Sequence, residues 1–227
     1  MMRLREADYE YLAAAMFNSS WPGYKPEGAE AHPLSGAVDR GKRYAHLHAK
    51  YLARVPENYP RTTLRTLETL LLLCTGEARQ TAFRLGLPEH LWPDPRYSTV
   101  RILEYPAMAG SAEHTDQDLF TFHLWRDPMP GGFERRRATL QELSLGAAHH
   151  EDLDKAYPGL HLGEMAEIAG FGAATPHCVS PLPLRQRSIV FFAIPDLEAE
   201  LLPGMKVGPW LENRMARARG LLIDVVW

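Results

Sequence analysis

His114 and Asp116 stand two residues apart in His114-Thr115-Asp116, between a strand-like run from Ser98 to Tyr105 and another from Leu119 to Trp125. The first run ends at Pro106, and the second is rich in Phe, Thr and other aromatic residues, a strand signature. On an extended segment, residues two apart project to the same side, so an imidazole and a carboxylate are offered to one point. About sixty residues later, Thr175-Pro176-His177-Cys178-Val179 brings a second imidazole in another short strand context. A fold that joins the three must return short strands past one another. Two imidazoles and one carboxylate then take one face of a metal ion and leave the other open, as in mononuclear non-heme Fe(II) oxygenases, where dioxygen and an organic co-ligand enter.

Residue type alone would not single out these three. The chain has ten histidines, and His150-Glu151-Asp152 is a second His-x-Asp. That one lies in the polar run His149 to Lys155, which has no strand character and reads as a solvated loop or helix start. His46, His48 and His161 are further histidines without such a setting.

A chain of 227 residues can bury a substantial core, and one domain, 1–227, is favoured over two. With 45% apolar residues, 23% charged residues and a net charge of -3, it has no basic block suited to nucleic acid. The apolar run Leu70 to Cys74 is too short for a bilayer, and the N-terminus lacks the apolar core of a signal peptide. Cys74 and Cys178 make no disulfide framework. A cytoplasmic enzyme acting on a small molecule, with no membrane or nucleic-acid partner, is the expectation; the oligomeric state is unspecified.

Helix precedes strand along the chain. Leu4 to Met16 reads as an amphipathic helix ended by Asn18-Ser19-Ser20-Trp21-Pro22-Gly23, and Tyr24 to Gly36 as a loop. Ala37 to Val55 reads as a second helix stopped by Pro56, and Thr62 to Leu73 as a buried helix that Glu77 to Leu85 continues after Gly76. Beyond Tyr97 come short strands, and Pro209 to Arg219 returns to helix. The expected fold is α+β: a mainly helical part at 1–97 packed on a small barrel or jelly roll at 98–196, with a C-terminal extension at 197–227 that carries a helix.

From Ser98 to Asp196 the chain resembles the isopenicillin N synthase-like branch of the Fe(II)/2-oxoglutarate-dependent oxygenases. The matching segments are Val100-Arg101-Ile102-Leu103-Glu104-Tyr105-Pro106, His114-Thr115-Asp116-x-x-Leu119-x-Thr121, Gly163-Glu164-Met165-x-Glu167-Ile168-Ala169, Ala174-Thr175-Pro176-His177-x-Val179 and Arg187-Ser188-Ile189-Val190-Phe191-Phe192-x-x-Pro195. They occur in the family's order. The resemblance implies a double-stranded β-helix (cupin-like) core, with His114, Asp116 and His177 holding iron. Cys178 stands where the family commonly has arginine; on a strand it would face away from the metal and act as an apolar filler.

The resemblance also implies 2-oxoglutarate as co-substrate, its distal carboxylate gripped by an arginine two residues before a serine. Ser188 fits, but the arginine position holds Gln186. Arg185 and Arg187 flank it on the opposite face of a regular strand. A β-bulge would turn Arg187 inward. Alternatively Arg101, which shares a strand face with Tyr105, clamps the carboxylate with that tyrosine, or else makes a surface ion pair. The same branch includes oxidases that use Fe(II) and O2 without 2-oxoglutarate, drawing all electrons from the substrate. A non-catalytic metal-binding barrel is a third reading. Gln117, Phe120, Phe122, His123 and Trp125 follow the first two ligands; they line a substrate pocket or fill the core. The segment 126–160, with Arg135-Arg136-Arg137, forms a lid over an anionic substrate or a solvated connection.

Overall fold

The computed structural model describes residues 3–27, 41–128, 133–135 and 159–218, without the side chains of 134, 135, 217 and 218. Along the chain come α1 (Glu6–Met16), β1 (Tyr24–Lys25), β2 (Arg43–Leu47), α2 (Ala49–Leu52), α3 (Arg61–Arg84), β3 (Thr99–Tyr105), β4 (Ser111–His114), β5 (Phe120–Arg126) and β6 (Phe133–Arg135). Then follow β7 (Leu160–Leu162), α4 (Glu164–Ile168), β8 (His177–Val179), β9 (Gln186–Ala193), β10 (Glu200–Leu202), β11 (Met205–Lys206) and α5 (Val207–Ala218). A six-stranded sheet in the order β1-β2-β3-β9-β5-β7 and a three-stranded sheet in the order β4-β8-β6 carry the site, and β10 and β11 pair apart. Neighbours in both sheets are antiparallel.

The large sheet sorts its side chains by alternation. Val100 and Ile102 of β3, Phe120 and Phe122 of β5 and Ile189 and Phe191 of β9 point to one side. There they join Tyr9, Leu12 and Met16 of α1 and Leu67, Leu71 and Ala78 of α3 in the main core. Each such large side chain taken out of water contributes roughly 1.5–3 kcal/mol. On the other side, Tyr44, Leu103, Tyr105 and Val190 form a second apolar cluster beneath the small sheet. One face therefore holds the helices and the other faces the site.

The N-terminal part is less helical than the spacing of its apolar residues predicts. Among the described residues of 37–55, only Ala49–Leu52 is α-helix; Arg43–Leu47 is strand and pairs with β3 from Arg43↔Glu104 to Leu47↔Val100. Both faces of this strand are covered, Ala45 and Leu47 by the main core and Tyr44 by the second cluster. A strand buried on both faces loses its polar alternation and is indistinguishable from a helix by periodicity. Tyr24–Lys25, expected as loop, is the edge strand β1. The sheet thus draws two strands from the part expected to be helical.

The two helical pieces around Gly76 are one helix, α3, of 24 residues. It is not a buried helix throughout. Leu67, Leu71, Cys74, Ala78 and Ala82 line its inward stripe, as an amphipathic helix should, while Leu72 and Leu73 are exposed. Among the described residues no helix is long and apolar enough to cross a membrane.

Candidate metal centre

His114 and His177 sit directly opposite each other where β4 and β8 pair, and their rings are 4.4 Å apart between centroids. Asp116 lies just past the end of β4, in the turn before β5. His114 Nε2 is 3.9 Å from Asp116 Oδ1 and His177 Nε2 is 3.8 Å from Asp116 Oδ2. One ligand atom from each of the three lies within 4.8 Å of the others. His114 Nδ1 is 2.8 Å from the Ala112 carbonyl and His177 Nδ1 is 3.1 Å from the Thr175 carbonyl. A carbonyl only accepts, so each Nδ1 carries the proton and each Nε2 presents its lone pair towards Asp116. This is how a protein pre-sets histidine for a metal. The donor set, two neutral imidazoles and one carboxylate, fits a divalent first-row ion with open positions.

Asp116 is itself held. His161 Nε2 donates to its Oδ2 at 2.8 Å, and Thr121 Oγ1 lies 2.6 Å from the same oxygen. Burial alone would push this carboxyl up; the His161 hydrogen bond and the imidazoles of His177 and His114 outweigh it and hold Asp116 well below the usual carboxylate range. Burial, reinforced by His177, pushes His114 down, which keeps it in the neutral form a ligand needs. Thr121 Oγ1 also lies 2.8 Å from Asp118 Oδ2. One hydroxyl proton cannot serve two carboxylates. Burial and then the charge of Asp116 push Asp118 well up, so of the two carboxylates Asp118 holds a proton the more readily.

The turn bearing Asp116 is clamped from α4 and α5. The amides of Glu164 and Met165 donate to the carbonyls of Asp116 and Asp118 at 2.8 and 3.0 Å. Thr115 Oγ1 donates to Glu164 Oε1 at 2.5 Å, and Arg214 holds both Glu164 oxygens at 2.6 Å. Gly163 allows this approach: a Cβ there would fall 2.3 Å from the Asp118 carbonyl oxygen.

Beside the triad is a pocket lined by Tyr105, His123, Arg126, Asp127, Phe133, Val179, Gln186, Arg187 and Ser188. Phe133 connects the two, its ring centroid 4.3 Å from His123 and 5.3 Å from His177. Tyr105, Gln186 and Ser188 therefore line one pocket. Gln186 Nε2 donates to the Ser180 carbonyl at 2.8 Å, which leaves the arginine position without a cation.

Several expectations are corrected here. β9 keeps unbroken register with β3 from Gln186 to Phe192, so no bulge turns Arg187 inward. Although Arg187 borders the pocket, its guanidinium is committed to Asp127 at 2.8 Å, Glu6 at 2.5 Å and Glu10. Among the described residues Arg101 makes no ion pair. Its Nε donates to His46 Nε2 at 2.6 Å between the rings of Tyr44 and Phe192, and it does not line the pocket. Phe120 and Phe122 belong to the main core, and Trp125 packs on Tyr9 of α1 at 5.1 Å. Gln117 is half-buried in the turn and does not line the pocket. Cys178 is outside the group that could hold a metal. His150, Asp152 and, apart from 126–128, 133–135 and 159–160, the expected lid lie outside the described residues.

Three contributors escaped the sequence reading: His161, Phe133 and Arg126. Leu160-His161-Leu162 shows only a brief alternation, and the pairing of Thr121 with His161 places that imidazole beside Asp116.

No known family's sequence profile matches the chain, and no curated protein matches it in sequence. Solved structures do resemble it. A Shewanella oneidensis protein described provisionally as an oxygenase superposes with a TM-score of 0.55 over 96% of this chain and 86% of its own, at 19% identity. A full-length Neurospora crassa protein, solved in complex with alpha-KG, gives 0.54 over 89% and 77%, at 15% identity. JOX2, in complex with 2OG, Fe and JA, gives 0.51 over 86% and 64%, at 19% identity. The likeness establishes the fold, the double-stranded β-helix of such dioxygenases.

Proposed function

We propose that this protein is a mononuclear Fe(II) oxygenase that uses 2-oxoglutarate and O2 to oxidise a C–H bond of a small molecule. The observation that carries the reading is the convergence of His114, Asp116 and His177 with both Nδ1 atoms tied to carbonyls. The fold shared with the Neurospora crassa protein and JOX2, whose structures hold alpha-KG and 2OG, supports the choice of co-substrate. When bound, Fe(II) supplies the site for dioxygen reduction and 2-oxoglutarate supplies two electrons, leaving as succinate and carbon dioxide.

The chain's residues set the conditions for that chemistry. His114, Asp116 and His177 bind the ion on one face. His161 and Thr121 fix the rotamer of Asp116, so the carboxylate meets the ion without reorganising. Phe133 packs against His177, and His123 against Phe133, on one side of the centre.

Anaerobic titration with Fe(II), then 2-oxoglutarate, followed by the visible metal-to-ligand charge-transfer band, tests this. One equivalent of iron and a new band are expected. His114→Ala and Asp116→Ala should abolish stoichiometric binding, His161→Phe should weaken it roughly ten- to a hundredfold, and His150→Ala with Asp152→Ala should change little. Equal losses at both His-x-Asp pairs would sink the assignment. The neutral, carbonyl-bound Gln186 favours a second reading, an Fe(II) oxidase that takes all its electrons from the substrate. Oxygen consumption with substrate but without succinate would select it.

A further inference from the structure

A regular β5 would turn Thr121, His123 and Trp125 to the site and Arg126 away from it. The observed register is different. His123 pairs with Val190, then Trp125 with Ile189 and Arg126 with Ser188. Leu124 is the extra residue of a bulge. Leu124 is buried in the main core and Trp125 stacks on α1, both on the helix side. His123 and Arg126, on the two sides of the bulge, both reach Phe133 of the small sheet, the Arg126 guanidinium 5.6 Å from its ring centroid. The bulge has therefore moved an arginine onto the site face.

Resting on the 2-oxoglutarate reading above, we infer that Arg126, with Ser188 opposite it on β9, is the anchor for the co-substrate's distal carboxylate. The other candidates are occupied. Gln186 is neutral and bound to a carbonyl, Arg187 is matched by carboxylates, and Arg101 is fixed on His46 away from the pocket. Among the described residues no carboxylate pairs with Arg126, whose described partner is the Phe133 ring. Ser188 offers a hydroxyl in the same pocket, and Tyr105 lines it too. Among the described lining residues the one acid, Asp127, is matched by Arg187. A guanidinium fork beside a hydroxyl, in a pocket one ring away from the metal ligands, is a receptor for a carboxylate.

The test compares 2-oxoglutarate with 2-oxobutyrate, the same 2-oxo acid without its distal carboxylate, by anaerobic calorimetry on the Fe(II)-loaded protein. The wild type should bind 2-oxoglutarate about ten- to a hundredfold more tightly, the worth of one charge-assisted pair. Arg126→Met should erase that preference and leave 2-oxobutyrate affinity unchanged, which also shows that the site is intact. Arg126→Lys, which keeps the charge and loses the fork, should retain part of the preference. An unchanged preference in Arg126→Met overturns the inference and leaves the 2-oxoglutarate reading standing. Equal loss of both ligands in Arg126→Met and Arg126→Gln also overturns it, since that marks a structural role. If the wild type shows no preference or binds neither acid, the 2-oxoglutarate reading falls and the inference with it.

Discussion

At the scale of single residues, several imidazoles in this protein work only while neutral. Arg101 donates to His46 Nε2, which leaves that nitrogen no room for a proton. Burial, then Arg101, and to a lesser degree Lys50, His48 and Lys25, push the His46 pKa well down. As pH falls below about 6.5, the unfolded chain takes up a proton at His46 that the folded protein refuses. The unfolded state then binds more protons, so stability falls as pH falls. His46→Gln keeps an acceptor for Arg101 and does not titrate. Urea unfolding between pH 7 and pH 5 should show the wild type losing about 1 kcal/mol or more relative to this variant; parallel curves would refute it. Legibility at this scale was uneven. His114, Asp116 and His177 could be read because strand alternation is a local property, and the Asp116 turn departs from it by only a residue. His161 could not, because nothing within Leu160-His161-Leu162 says which strand it will meet.

At the scale of elements, the ion-pair cluster around Arg187 joins α1 to the large sheet. Asp127, from the end of β5, and Arg187, from β9, have side chains only 12% and 11% exposed, whereas Glu6 and Glu10 are mostly exposed. Arg187→Met would leave Asp127 charged and partly buried without its partner. Such a loss costs about 3 kcal/mol, or a melting temperature roughly 6–12 °C lower, while 2-oxoglutarate affinity in the folded variant should stay near that of the wild type. A large loss of affinity without destabilisation would return Arg187 to the role of anchor. The helices α1 and α3 were legible because each has one apolar stripe. The strand β2 was not, because both of its faces are covered. The bulge at Leu124 left no trace in residue type, and it reversed the sides of both Trp125 and Arg126.

At the scale of the whole molecule, the triad joins a sheet pair to the turn that leads into the other sheet. His114 and His177 come from the small sheet, and Asp116 is braced by Thr121 of β5 and His161 of β7. A metal bound there adds a link between layers. Saturation at a hundred times the dissociation constant stabilises by about 2.7 kcal/mol, so Fe(II) should raise the melting temperature by roughly 5–10 °C under argon. A chelator should reverse the shift, and His177→Ala should abolish it. An equal shift in that variant would locate the metal elsewhere. The brace from α5 adds a matter of timing. Residues 114 to 177 complete the proposed ligand set, yet Arg214, nearly forty residues later, secures the turn through Glu164 and Thr115. A ribosome adding about 5–20 residues per second finishes the ligands seconds before it delivers the latch. Iron that arrives in that interval meets a turn that His161, Thr121 and the amides of Glu164 and Met165 can already hold, but that still lacks its outermost brace.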